Sequence, residues 1–358
     1  MGNFRIILVL FLLLSASLEA QPLKVVVAGL SHDHAHSIMQ QWKRGEVVML
    51  AVAESNSALR NRYQRQYQLP DSLFYPSLGE ALRKHKPEIV LAYNSIAEHR
   101  AVVEVCAPMG ISVMVEKPLA TTVSDAERIA QLAAKHNIMV LTNYETTWYP
   151  SVHQLYAMSN EQGMLGPIRK MVVHDGHQGP REIGCSDEFL AWLTDPVLNG
   201  GGALVDFGCY GANLMTWLMA GKAPKAVMAV TKQIKPMAYP KVDDEATILL
   251  EYDDATGIIE ASWNWPYGIK DLEVFGTKGY AHALDGRGLQ FKKEQMKPEP
   301  VAVASLVYDS NLKYLEAILR GQLRPANDLS SLENNLIVVR ILDAARRSAK
   351  EGKKIPLR

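Results

Sequence analysis

An excess of charge of either sign is missing from this chain: 38 basic side chains balance 38 acidic ones over 358 residues. With no basic tract, low-complexity segment or internal repeat, that balance argues against nucleic acid as the main partner. Cysteine is scarce. Cys106, Cys185 and Cys209 are odd in number, and Cys106 and Cys209 sit in apolar helical patterns. They read as free buried thiols rather than a disulfide framework. A membrane-spanning run is missing as well. Ile6 to Leu14 is unbroken and apolar, but a span needs about 20 such residues. One positive charge lies before that run and a small, polar stretch, Ser15 to Ala20, after it. This is the layout of a secretory signal cleaved after Ala20. An uncleaved anchor helix is the alternative. There is no twin-arginine pair and no lipobox cysteine, so the expectation is general-secretory export to a periplasm or beyond, with no stable membrane insertion after cleavage.

Glycine is missing where a nucleotide-binding turn would want it. In "KVVVAGLSHDHAHS", residues 24–37, a buried apolar strand enters a turn that should read G-x-G-x-x-G. Gly29 is present, but Ser31 and His34 hold the second and third glycine positions. A strand, a tight turn and a helix start still place backbone N–H groups where a pyrophosphate can sit. Glu54 follows the second strand, where its carboxylate could accept from ribose hydroxyls and repel a 2′-phosphate, favouring NAD over NADP. A Rossmann-like domain that no longer binds nucleotide is the competing reading. His32, Asp33, His34 and His36 also suggest a metal, but they straddle a turn and a helix start, and zinc sites usually need a ligand from another element. No metal is expected; one imidazole should line the cleft and another cap or pack.

Residues 24–143 alternate β-branched runs (24–28, 47–53, 88–93, 111–115, 138–143) with helical stretches (57–68, 98–109, 124–136). Runs without internal alternation are buried on both faces, which predicts a doubly wound parallel sheet covered by helices. From about Pro150 the pattern changes. A helix at 151–161 and a strand at 168–174 precede helices at 188–193 and 203–219. Strands follow at 226–234, 245–252, 257–264, 271–275 and 280–284. The fold class is therefore α/β: an N-terminal Rossmann domain over 21–149, then over 150–358 an α/β domain with an open-faced, mostly antiparallel sheet. Two amphipathic helices, near 311–320 and 332–350, should pack on existing cores, with the first domain one place for the last of them to return to.

Two segments carry chemistry. In "VMVEKPLATT", Glu116-Lys117-Pro118 ends a strand at the carboxyl edge where open parallel sheets bind ligands. A lysine there can donate a proton or lower a neighbour's pKa; the plain alternative is a solvated surface lysine. In "NGGGALVDFGCYGANLM", three glycines precede a helix that sets Asp206 and Tyr210 four apart, on one face. A free tyrosine, pKa about 10, is a poor base, but an ammonium such as Lys117 would bring it down. A buried tyrosine packed against an aspartate is the plain alternative.

Together "VEKPLATT" and "GGGALVDFGCY" resemble the Gfo/Idh/MocA oxidoreductases, in the branch around glucose–fructose oxidoreductase and dihydrodiol dehydrogenase, where a tyrosine replaces a histidine. "AYNSIAEHR" sits at that family's P-N-x-x-H segment, and residues 331–357 match its last helix. The resemblance implies a tightly held nicotinamide cofactor. It also implies a catalytic Lys117, a proton-transferring Tyr210 and a substrate-touching Asp206. Gly29, Ser31, Glu54, Asn94, His99, Glu116 and Lys117, with Leu30 and His32 in the same turn, fall where the family contacts the dinucleotide. Asn213 stands where many relatives carry aspartate, and "NYETTWYP" lacks a common arginine.

Two further features bear on substrate. His174, Asp175 and His177 follow a strand and enter the loop before the catalytic helix, where imidazoles suit polyols; a plain surface loop is equally consistent. Trp263 and Trp265 should share a strand face and serve a subunit interface. The expected activity is hydride transfer between the nicotinamide and a hydroxyl- or carbonyl-bearing carbon of a sugar or polyol, in a homo-oligomer joined through the C-terminal sheet. A chain exported unfolded has to acquire its cofactor afterwards and reset it within each turnover. A glycosidase that transiently oxidises a sugar would do so too, and a non-catalytic sugar-binding module is the remaining alternative.

Overall fold

The computed structural model describes residues 21–326 and 328–357; the secretory-signal reading of residues 1–20 lies outside them. The first half alternates β1 (Leu23–Ala28), α1 (Ala35–Lys43), β2 (Val47–Ala53), α2 (Ser57–Tyr67), β3 (Phe74–Tyr75) and α3 (Leu78–Lys84). It continues with β4 (Ile89–Ala92), α4 (His99–Cys106), β5 (Ser112–Glu116), α5 (Val123–His136) and β6 (Val140–Asn143). The six strands form one parallel sheet in the order β3-β2-β1-β4-β5-β6. Every residue of β4 is buried, as a strand covered on both faces must be. The order reverses between β1 and β4, and that switch point opens a crevice at the strands' carboxyl ends.

The second half begins with α6 (Pro150–Tyr156), β7 (Ile168–Gly176), α7 (Asp187–Leu193), α8 (Ala203–Asp206) and α9 (Gly208–Leu218). Next come β8 (Ala226–Lys232), β9 (Glu245–Glu251), β10 (Thr256–Ser262), β11 (Ile269–Gly276), β12 (Gly279–Ala283), β13 (Leu289–Lys293) and β14 (Glu299–Pro300). The described chain closes with α10 (Asn311–Leu319), α11 (Leu332–Glu351) and β15 (Ile355–Pro356). The nine strands run β14-β13-β12-β11-β7-β10-β9-β8-β15, all antiparallel neighbours except β7 and β10, which pair in parallel. One face is covered by α9, buried along its whole length; the other exposes Met228, Val230, Leu249 and Phe275.

The closing helices join the halves. Leu312, Tyr314, Leu315 and Ile318 of α10 enter the core beneath β1 and β4, whereas α11 lies against α9 and β8 on one side and α5 on the other. Among the described residues, no helix is long and apolar enough to cross a membrane. Cys106, Cys185 and Cys209 are all free thiols.

Candidate active site

The first turn satisfies four of its N–H groups within the protein. The N–H groups of Gly29 and His32 go to the carbonyls of Ala53 and Tyr93 (2.8 and 3.0 Å). That of Leu30 goes to Glu54 (2.9 Å) and that of His34 to Nδ1 of His32 (3.1 Å). Gly29 is at φ +78°, and a Cβ there would stand 2.7 Å from Cβ of Asn94. Only glycine fits, on both counts. Beside it Gly29, Ser31, Glu54 and Asn94 line a cavity of about 530 Å³ at the switch point, and Oδ1 of Asn94 is buried without a partner. A glycine cradle, a carboxylate at the end of β2 and an orphaned amide oxygen fit a dinucleotide. Glu54 also accepts from the N–H of Asn56 (2.7 Å), so it is fixed before any ribose arrives. Glu54→Gln removes the charge and keeps one acceptor oxygen, the other becoming an amide NH2; the preference for NAD over NADP, read as a Kd ratio, should fall about tenfold or more, on the order of 1.4 kcal/mol.

The neighbouring histidines divide their roles. His32, His34 and Glu116 bring their ligand atoms within 4.8 Å of one another. However, Nδ1 of His32 accepts a backbone N–H, which leaves the hydrogen on Nε2 and opposes ligation through that atom. His34 instead hydrogen-bonds Glu116 (2.9 Å), and Asn143 donates to the same carboxylate (2.9 Å). Burial pushes the Glu116 carboxyl up, yet the two imidazoles and these bonds outweigh it and bring it down to about 2. His36 packs on Tyr63 and bonds Tyr67 (2.6 Å). His99 is wholly buried and bonds the carbonyl of Leu119 (3.1 Å). It holds the Glu-Lys-Pro turn from behind, and burial lowers its pKa to about 4.

At the carboxyl end of β5, Lys117 is buried and turned inward. Its Nζ meets Oδ1 of Asp206 (2.5 Å) and the Asp206 carbonyl (3.1 Å), excluding the solvated-lysine reading. The other carboxylate oxygen of Asp206 accepts from the indole N–H of Trp263 (3.0 Å). Burial pushes the Asp206 carboxyl up, but the Lys117 ammonium outweighs it and the net shift is downward. The glycine run makes this possible. A Cβ on Gly202 would stand 1.7 Å from the Asp243 carbonyl, and the Asp243 carboxylate caps α8 through the N–H groups of Gly202 and Leu204 (3.0 and 2.7 Å). From α11, Arg346 bonds the carbonyls of Gly200 and Thr121 (2.6 and 2.8 Å), tying both active segments together.

Four expectations need correction. Asp206 and Tyr210 do not share one helix: α8 ends at Asp206 and α9 starts at Gly208, with the capped first turn too short to run through Phe207. Lys117 lies 5.1 Å from the Tyr210 ring centroid, but its charge is spent on Asp206. The phenol is pushed well up by burial and then by the Asp175 and Glu145 carboxylates, not brought down. His174 belongs to β7 and points to the open sheet face, bonded to Asp271 (2.7 Å), because neighbours on a strand face opposite ways. Trp263 is fully buried against Asp206 instead of serving an interface, since β10 ends at Ser262 before either tryptophan. His177 does reach the site edge, its ring against Phe207 at 4.9 Å.

Sequence reasoning passed over Lys270, whose Nζ stands 4.0 Å from the Tyr210 ring centroid and bonds Glu145 (2.7 Å). It set Asp175 with His174 in the loop but gave it no role; Asp175 lies one residue beyond His174 and on the opposite face. Period-two alternation along β7 was the signal that could have found the second.

The arrangement, a crevice at the carboxyl edge of the parallel sheet and, at the same edge, a buried lysine–aspartate pair near a tyrosine, suits hydride transfer at a carbinol. Residues 23–144 match the family described as "Oxidoreductase family, NAD-binding Rossmann fold", and residues 157–282 match "GFO/IDH/MocA C-terminal domain". The chain belongs to the Gfo/Idh/MocA oxidoreductases. Like them, this oxidoreductase is NAD(P)-dependent, with an NAD-binding Rossmann domain. It is 24% identical over 264 residues to a trans-1,2-dihydrobenzene-1,2-diol dehydrogenase of Bos taurus, covering 73% of each chain. Its fold is shared with an aldose–aldose oxidoreductase of Caulobacter crescentus (TM-score 0.78, 23% identity, 94% of this chain and 100% of that one). An inositol dehydrogenase homolog of Azotobacter vinelandii, solved with NAD+, shares it too (TM-score 0.80, 20% identity, 94% and 98%).

Proposed function

We propose that this oxidoreductase is an exported enzyme that oxidises or reduces a secondary alcohol or carbonyl carbon of a sugar or polyol while keeping its NAD bound. The observation that carries the reading is the convergence of Lys117, Asp206 and Tyr210 at the carboxyl edge of the same parallel sheet whose switch point holds the cavity lined by Gly29, Ser31, Glu54 and Asn94. The relatives' names, which refer to a diol, aldoses and inositol, support the substrate class. The nicotinamide, when bound, takes up or returns the hydride. Tyr210 hydrogen-bonds the substrate oxygen and passes its proton. Asp206, fixed by Lys117 and Trp263, orients a neighbouring hydroxyl, and Lys117 keeps that carboxylate ionised in a site closed to water. His177 edges the substrate pocket. A second copy of the chain on the face that exposes Met228, Val230, Leu249 and Phe275 would cover its apolar side chains.

Mass spectrometry of the denatured, freshly purified protein should release NAD. The holoprotein should then show reduced nicotinamide absorbance on adding an aldose or polyol, and lose it on adding a second carbonyl sugar. A protein that carries nucleotide but cleaves a glycoside instead would replace this reading with the transient-oxidation glycosidase. Release of no nucleotide, together with no hydride transfer in added NAD, would end it.

A further inference from the structure

The side chain of Asp175 points from the carboxyl end of β7 toward α9 and is 1% exposed. Neither of its carboxyl oxygens has a hydrogen-bond partner. Buried polar groups are rarely left so, and an exception calls for a reason. Its nearest charge is Nζ of Lys270 at 3.7 Å, the same ammonium that stands 4.0 Å from the Tyr210 ring centroid. One cation therefore touches both the phenol assigned to the substrate oxygen and a carboxyl with free valences.

We propose that Asp175 is the acid–base group of the site, the final holder of the substrate hydroxyl proton, with Tyr210 as the conduit and Lys270 as the positioning residue between them. The proposal rests on the oxidoreductase reading above. In oxidation the substrate C–H bond breaks with its electron pair going to the nicotinamide ring, and the carbon–oxygen double bond forms. The O–H proton moves to the Tyr210 oxygen as the phenol's own proton passes to a carboxylate oxygen of Asp175, across a hydrogen bond that forms only when bound substrate draws the two groups together, since they share none in the free site. Reduction runs the same transfers backwards, so protons and electrons balance with no further reactant.

The electrostatics agree. A phenol pushed well above its ordinary value cannot wait at neutral pH as phenolate, so it needs a partner whose proton is exchangeable there. Burial raises the Asp175 carboxyl to about 7, against the pull of Lys270 and Lys117 and with help from Asp206 and Glu145. A general base works best when its pKa lies near the operating pH. Lys270 of β11, Lys117 after β5, Asp206 of α8, Glu145 and Tyr149 after β6, and Tyr210 and Cys209 of α9 are the titratable groups that bear on it.

Two measurements test this. In the nucleotide-free chain, carbon NMR of the aspartate carboxyls should show one group titrating near 7 that disappears in Asp175→Asn. In the holoenzyme, kcat for oxidation should rise through that same pH in wild type. Asp175→Asn should lower kcat about 100-fold or more, abolish that limb and leave NAD binding in place. Lys270→Gln, which removes the adjacent cation, should move the limb to higher pH, and serves if the aspartate variant does not fold. Asp175 titrating with ordinary carboxylates, or an unaltered kcat–pH profile in these variants, overturns the proposal. A wild-type chain that turns over no sugar or polyol is a distinct result, because then the oxidoreductase reading fails first and takes this one with it.

Discussion

Lys117→Met is expected to lower stability to chemical denaturation by about 3–5 kcal/mol, since removing one partner of a buried pair leaves the other charge uncompensated. Asp206 would remain a carboxylate within the core, with the Trp263 indole as its one side-chain hydrogen bond. Lys117→Met combined with Asp206→Leu should recover much of the loss, because both charges then leave together. The pH dependence has a definite sign. Asp206 has a folded-state pKa below its unfolded value, so the pair contributes fully above the ordinary carboxylate range and its contribution fades as the pH falls. The gap between wild type and Lys117→Met should therefore narrow below about pH 4. A gap that stays constant or widens in acid would show that the lysine stabilises by some route other than its charge.

Tyr210→Phe carries the largest expected effect on activity. Loss of a positioned acid–base group typically costs about 10²–10⁴-fold in rate, and kcat should fall within that range while NAD affinity and KM move little. The ring keeps its edge contact with Tyr144 at 5.4 Å and its ammonium neighbours, so folding should be spared. Turnover within threefold of wild type would remove Tyr210 from the mechanism, whatever the fate of Asp175.

The parallel sheet was legible because β1, β2, β4, β5 and β6 are apolar runs that burial on both faces demands, and Gly29 with Glu54 marked its crevice. β3 escaped notice because two residues, Phe74 and Tyr75, leave no periodic trace. Lys117, Asp206 and Tyr210 were legible as chemistry in residue type and setting, but their partners were not. Asp243 caps α8 from a distant loop, Arg346 reaches back from α11, and Trp263 finds Asp206 only when the second sheet has formed. No local pattern encodes those pairings. The reversed shift of Tyr210 was hidden for the same reason: its sign depends on which carboxylates surround it, and Asp175 and Glu145 come from two other elements.

One contact between the halves bears on timing. The indole N–H of Trp192, on α7, donates to the carbonyl of Ser31 (3.1 Å). Just before that helix, Ser186 gives both its N–H (3.0 Å) and its hydroxyl (2.5 Å) to Asp33. Glu188 and Ala191 thereby close one wall of the crevice at the first turn. Any nucleotide seated there is clasped by the second half of the chain. Its residence time would be set by how often that clasp springs open, so a slow-exchanging coenzyme asks only for a well-fastened neighbour and no stronger grip of its own.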